Sequence, residues 1–236
     1  MTASAGAGAA GPAGARPAWV EELVARNRDA RADQLSRFVP PPGHERRSAV
    51  LMLFAGAPDA PAPDGVDVLL TERAATLRSH AGEVAFPGGR IDPGDAGAAA
   101  AALREAHEET GLRAESVELL AELPDLYLPV SDYAVTPVLA WWRAPAPIGV
   151  RDPAEVARVV RVPVGELIEP AHRFSAVHPS GFTSPAFQAR GLFVWGFTAW
   201  LLDRLLQLTG WERPWDPGRL QDVPLPDPPR DRSAPA

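Results

Sequence analysis

Fifteen residues, Ala96 to Thr110, constrain this chain more than any other stretch. They read as a helix, with Asp95 suited to its N-cap and Gly111 to its stop. A helix turns about 100° per residue. With Glu105 set at zero, Glu109 falls about 40° to one side and Glu108 about 60° to the other. Three carboxylates therefore share one face and crowd the C-terminal turn. Like charges four residues apart repel, and the helix dipole presents its negative end there, at a cost of about 0.3–1 kcal/mol per unfavourable contact. A bound cation offsets this. Clustered hard oxygen ligands in a chain without cysteine suit Mg2+ or Mn2+. The same residues also read as a solvated acidic face, with Arg104 and Arg113 as counter-charges.

Around this helix, strand and helix signals alternate. Pro17 to about Phe38 has helical spacing (Trp19, Leu23, Leu35), with Pro17 placed for a first turn. The run AVLMLFA, Ala49 to Ala55, reads as a buried strand, and Val66 to Leu70 as its hairpin partner across a Pro/Asp/Gly turn. Val117–Glu122, Ala134–Trp142 and Val156–Val164 follow as strands, with a short helix near Val164–Ile168. Phe187–Trp195 reads as a hairpin around Ala189-Arg190-Gly191. It leads into an amphipathic helix over Gly196–Leu208, striped by Leu201, Leu205 and Leu208. Elements mixed in this way predict a single-domain α/β sandwich with a mixed sheet.

The 236 residues fit one domain with tails. We expect a disordered tail over 1–16, the domain over 17–213, and a proline-rich tail over 214–236 in which Trp215 is the one large anchor. The net charge of −7 disfavours general nucleic-acid binding. All 23 basic residues are arginine, which removes Schiff-base and P-loop lysine chemistry. No apolar run is long enough for a membrane span and no secretory signal is legible, which leads us to expect a cytoplasmic protein.

Phe86-Pro87-Gly88-Gly89 leads through Arg90-Ile91-Asp92-Pro93-Gly94 to the acidic helix. Paired glycines permit close backbone approach to a ligand, and a loop ahead of the glutamates could add a backbone carbonyl to a cation site. Taken together, GGRIDPGDAGAAAAALREAHEETGL resembles the Nudix box, G-x5-E-x7-R-E-U-x-E-E-x-G-U with U aliphatic. Arg104 to Leu112 match its back half. In the front half Asp95 stands where the box has Glu, and one extra residue separates it from Arg104, so Asp95 reads first as a helix cap. Leu69 to Gly89, LLTERAATLRSHAGEVAFPGG, is similar to the block that precedes the box in the coenzyme A diphosphatase branch, with Arg73, Arg78, Gly82, Phe86 and Pro87 at the matching spacing. Val135–Val138 and Trp195–Ala199 resemble later family segments less specifically.

The resemblance implies a Nudix-type α/β/α sandwich and divalent-metal-dependent hydrolysis of a diphosphate. The implied substrate is coenzyme A or acyl-CoA, giving 3′,5′-ADP and 4′-phosphopantetheine or its acyl form. Cleavage of ADP-ribose or a dinucleotide, and a non-catalytic nucleotide-binding module, stay as alternatives. The partner expected is thus a small nucleoside diphosphate, with a homodimer allowed and neither nucleic acid nor membrane involved. Under this resemblance Glu105 and Glu109 are the first metal ligands. Glu108 is a second-ion ligand or the general base, and Gly89 offers its carbonyl. Arg104 orients a glutamate. Arg73 and Arg78 are placed for the substrate's phosphates, and His80 could hydrogen-bond one. His107 points away from Glu105 and Glu109. Trp141 and Trp142 read as core in preference to an adenine stack, and Ser131 and Asp132 lie on a loop that could border the site.

Overall fold

The apolar run beginning at Ala49 becomes the centre of the molecule. In the computed structural model, which describes residues 16–36 and 38–224, it forms β1 (Arg47–Gly56). Side chains alternate across a strand. Ala49, Leu51, Leu53 and Ala55 therefore enter one core cluster, and Met52 and Phe54 enter another. Both faces are covered, as an α/β/α sandwich requires. β7 (Tyr133–Trp142) runs parallel to β1, and β2 (Val66–Arg73) runs antiparallel to it. β3 (Val84–Ala85), β4 (Gly88–Arg90), β5 (Val117–Glu122), β6 (Leu126–Leu128) and β8 (Val156–Pro163) complete an eight-stranded mixed sheet. The expected fold class is confirmed.

One face of this sheet carries α3 (Ala98–Thr110). Its inner side is Ala98, Ala101, Ala102 and Ala106, small residues that bring the helix axis close to β1 and β4. Gly111 ends it in the left-handed conformation at φ 76°, with its N–H on the His107 carbonyl at 2.8 Å. The start differs from expectation. Gly97, not Asp95, occupies the N-cap position. The residue inserted between Asp95 and Arg104 moves Asp95 out of the cap, and its carboxylate is spent on Arg104.

The other face carries α1 (Ala18–Asn27), α2 (Ala32–Leu35), α4 (Val164–Ile168) and α5 (Gly196–Thr209). The single helix expected from Pro17 to Phe38 is two, and Pro17 precedes the first instead of entering it. Asn27 explains the break. Its buried amide donates to the Leu23 carbonyl (2.9 Å) and to Thr209 Oγ1 (2.8 Å), pinning the end of α1 to the end of α5. A second sheet is built of β9 (Arg173–Val177), β10 (Thr183–Ala189), β11 (Leu192–Val194) and β12 (Leu220–Asp222). The β10–β11 hairpin turns on Arg190 and Gly191 at φ 51° and 73°, the two positive angles of a type I′ turn. β12 belongs to the proline-rich segment and pairs in parallel with β9, so the folded unit continues through Val223. The expected N-terminal tail lies, apart from Arg16, outside the described residues, as do residues 225–236. No helix among the described residues is long and apolar enough to cross a membrane.

Candidate active site

The site forms where the loop before α3 meets the helix's acidic face. The Pro87 carbonyl accepts the Leu51 N–H at 2.8 Å, and Gly88 and Gly89 pair with Val50 and Ala49 of β1. Gly88 has no room for a side chain against the β1 backbone, and Gly89 has room for one only if the Glu105 carboxylate moves. A Cβ on Gly88 would stand 2.3 Å from the Ala49 carbonyl oxygen, and one on Gly89 would stand 2.4 Å from the Glu105 carboxyl carbon. Glu105 therefore lies directly against the Gly89 backbone.

Glu109 is 6% exposed, and the Gly88 N–H donates to its Oε2 at 3.3 Å. Among the described residues no cationic side chain pairs with it. Burial pushes its carboxyl up to about 8, opposed by that N–H, raised further by Glu105 and Glu155, and lowered by Arg73. Glu105 is also raised by burial, with Arg104 opposing. Arg104 is the organiser. Its Nε and Nη2 each donate to Asp95 at 3.0 Å, its Nη1 to Glu105 at 3.0 Å and Glu108 at 3.3 Å, and its Nη2 also to the Arg90 carbonyl at 3.0 Å. Asp95, first read as a cap, thus holds the guanidinium that holds two glutamates. With Glu105 and Glu108 drawn onto Arg104, no three His, Asp or Glu side chains among the described residues converge as a ready metal cage. Glu105, Glu108 and Glu109 are still neighbours on one face of α3.

Arg73 ends β2 at a bulge, and its buried Nε has no hydrogen-bond partner among the described residues. Its charge is felt by both Glu109 and His80. Arg78 is exposed on the loop between β2 and β3, and neither a hydrogen bond nor an ion pair joins it to the glutamates. His80 is also exposed, at φ 57°, and its Nδ1 lies 3.0 Å from Glu83, which raises its pKa. His107 turns back to the Leu112 carbonyl at 2.9 Å. Trp141 and Trp142 are buried, Trp141 edge-on to Trp19 and Trp142 bonded to Ser116, so neither is open to stack a base. Asp132 bonds Tyr127 and lies beside His44 and Arg46, with no bond from Ser131 or Asp132 to α3 among the described residues.

Sequence reasoning passed over Glu155. Its carbonyl accepts the Ala74 N–H at 2.8 Å, which sets it next to Arg73. With Asp152, Arg151, His107 and Glu108 it rims a hollow of about 420 Å3. An isolated acid after Asp-Pro-Ala carries no spacing signal; only the end of β2 brings it to the glutamates.

Residues 45–180 match the NUDIX domain family. The chain belongs to the Nudix family. It is 35% identical over 192 residues to a protein of Photorhabdus laumondii named uncharacterized Nudix hydrolase NudL, covering 75% of this chain and 96% of that one. A protein of the same name from Cronobacter sakazakii is 36% identical over 178 residues, covering 72% and 86%. Among solved structures, the chain is similar to a Nudix hydrolase from M. smegmatis, RenU, at 24% identity and a TM-score of 0.45, over 70% of this chain and 85% of that one. This Nudix chain is a hydrolase of diphosphate bonds, in a family that generally uses divalent metals such as Mg2+ or Mn2+.

Proposed function

We propose that this Nudix hydrolase cleaves the diphosphate of coenzyme A or acyl-CoA, yielding 3′,5′-ADP and 4′-phosphopantetheine or its acyl form. The observation that carries the reading is Arg73. It comes from the block that resembles the coenzyme A branch, and it reaches the glutamate site with a buried donor unspent. Glu105, Glu109 and the Gly89 carbonyl are the oxygen donors that would hold Mg2+ or Mn2+, with Glu108 either a ligand to a second ion or, as taken below, the base. The buried, cation-free carboxylate of Glu109 and the contact of Glu105 with Gly89 fit that role. When bound, the ion supplies neutralisation of phosphate oxygens and acidification of water.

The chain's own groups do the rest. Arg104, locked by Asp95, orients Glu105 and Glu108. Arg73 offers its guanidinium fork to a phosphate, with Arg78 and His80 on the adjoining loop as further contacts. Glu108, whose side chain is 56% exposed and so open to water, is the carboxylate we assign to take the proton from the attacking water as the new P–O bond forms and the bridging P–O bond breaks. The partner is the small molecule, and the setting is the cytoplasm.

Cleavage of CoA, octanoyl-CoA, ADP-ribose and a dinucleoside polyphosphate, each with Mn2+, tests the assignment. CoA or its thioester is expected to give the highest kcat/KM. Preference for ADP-ribose or the dinucleotide would move the substrate class, and no cleavage of any would leave a binding module. A second expectation concerns the loop. Gly89→Ala meets only the mobile end of Glu105, so stability is expected to stay within about 1 kcal/mol of wild type. Turnover is expected to fall at least tenfold, because the carboxylate is displaced. Parallel thermal melting and steady-state rates check both halves.

A further inference from the structure

A second hollow, of about 500 Å3, lies beside α3 and is framed by Pro145, Ala146, Pro147, Ile148, Val159 and Arg161. Strand register gives its place. On β8, Val160 and Val162 pack with the α1, α4 and α5 side, whereas Val159 packs with the α3 side. Arg161, two residues on, shares the face of Val159. α3 packs over β1, β4, β5 and β7. On that face β2 and β8 are left to the loop after β7, from which Ile148 reaches the α3 cluster.

The hollow carries no free charge. Arg161 binds both oxygens of Asp67, at 2.9 and 2.5 Å, and lies over the Trp142 ring at 5.4 Å. The remaining lining is apolar, and Pro145 and Pro147 fix φ along the wall. Its size is that of a small-molecule site.

The strand and the loop that frame it both lead to the glutamate site. β8 begins at Val156, opposite Arg73. At ~3.3 Å per residue, Val159 is about 13 Å from Glu155 and Arg161 about 20 Å. The loop that walls the hollow runs on through Gly149 and Arg151, whose N–H groups bind the Thr110 and Glu109 carbonyls at 3.0 and 3.1 Å. It ends at Asp152 and Glu155 on the rim beside Glu108.

We propose that this hollow seats an uncharged, apolar arm carried by the diphosphate substrate, which on the coenzyme A reading is the acyl end of an acyl-CoA. The identity of the arm rests on that reading. The neutrality and position of the hollow do not.

Ala146→Asp places a carboxylate in the wall, and Ala146→Phe fills the hollow without charge; the position is a half-exposed loop site. In both variants the ratio of kcat/KM for octanoyl-CoA to that for CoA is expected to fall at least tenfold, through KM. S-octanoyl-pantetheine, which has no diphosphate, is the independent probe. Its acyl proton resonances are expected to broaden with wild-type protein and to stay sharp with either variant. An unchanged ratio, or equal broadening by wild type and variants, overturns the proposal. If wild type cleaves neither thioester nor CoA, the substrate assignment fails, and the broadening alone decides the hollow: variant-sensitive broadening sustains it and no broadening overturns it.

Discussion

Replacing Glu109 with Gln is expected to lower turnover about a thousandfold while raising the stability of the cation-free protein. The two effects have one cause. Glu109 is buried, bonded to a single N–H at 3.3 Å, and faces the negative end of its own helix. Such a carboxylate is costly in the fold, and its use lies in neutralising a cation. An amide keeps the shape and loses the charge. Loss of about 4 kcal/mol of transition-state stabilisation is about a thousandfold in rate. The pH dependence has a definite sign. The folded pKa, about 8, lies above the ordinary 4.5, so the folded protein binds this proton more tightly than the unfolded chain. Its contribution to stability is full below about 4.5 and is lost as pH rises through about 8. Without divalent ions, wild type is therefore expected to lose stability across that window, on the order of a few kcal/mol, and Glu109→Gln to flatten the loss. Thermal melts in EDTA from pH 5 to 9 measure it. Equal slopes for the two proteins, or a variant with a tenth or more of wild-type turnover, would remove Glu109 from the role assigned to it.

That glutamate was legible because its signal is local. Glu105, Glu108 and Glu109 fall on one face by helical arithmetic, and Gly111 marks where the helix stops. β1, β7 and α5 were legible for a related reason: an apolar run or stripe long enough to need cover on a known period. Short polar elements were not. β9 opens on Arg173, which no rule of burial places in a core, and β12 sits in sequence that reads as a tail. β9 exists as the neighbour of β10, and β12 because it pairs with β9 from far along the chain. Glu155 is the same case within the site, since a backbone bond from Ala74 brings it there across 81 residues of chain. Asp95 shows the other limit. A one-residue offset separates a helix cap from an arginine clamp, and composition is blind to that difference.

Arg173→Met is expected to cost about 3–5 kcal/mol, lowering the melting temperature by about 10 °C. Arg173 is wholly buried and pairs with Asp203 of α5, itself 1% exposed. Its guanidinium lies between Phe187 and Trp215, 4.4 Å from each ring, with Glu212 at 3.6 Å. Burial lowers the arginine and raises the aspartate, each opposed by the partner's charge. Desolvation is thus the larger influence on both, which marks a pair costly to assemble and costlier to break. The same cation anchors the proline-rich segment through Trp215, after which the Pro217 carbonyl accepts from Ser175 Oγ and the Arg219 carbonyl from Ser175 N, both at 2.8 Å. Two contributions can therefore be separated. Arg173→Met takes the buried partner from Asp203, leaving it only Arg204 at 3.3 Å and the Gln207 amide at 3.1 Å, and also removes the stack on Trp215. Arg173→Met combined with Asp203→Leu removes the charge problem alone, and an apolar replacement of a buried pair is typically neutral or stabilising. The double variant is expected to recover most of the melting temperature. Hydrogen exchange over residues 218–223 is expected to be faster than in wild type in both variants, because the ring stack is missing from each. Failure of the double variant to recover would assign the stability to the stack in place of the ion pair. Protected exchange in the single variant would mean that β12 holds to β9 by its backbone bonds without Arg173.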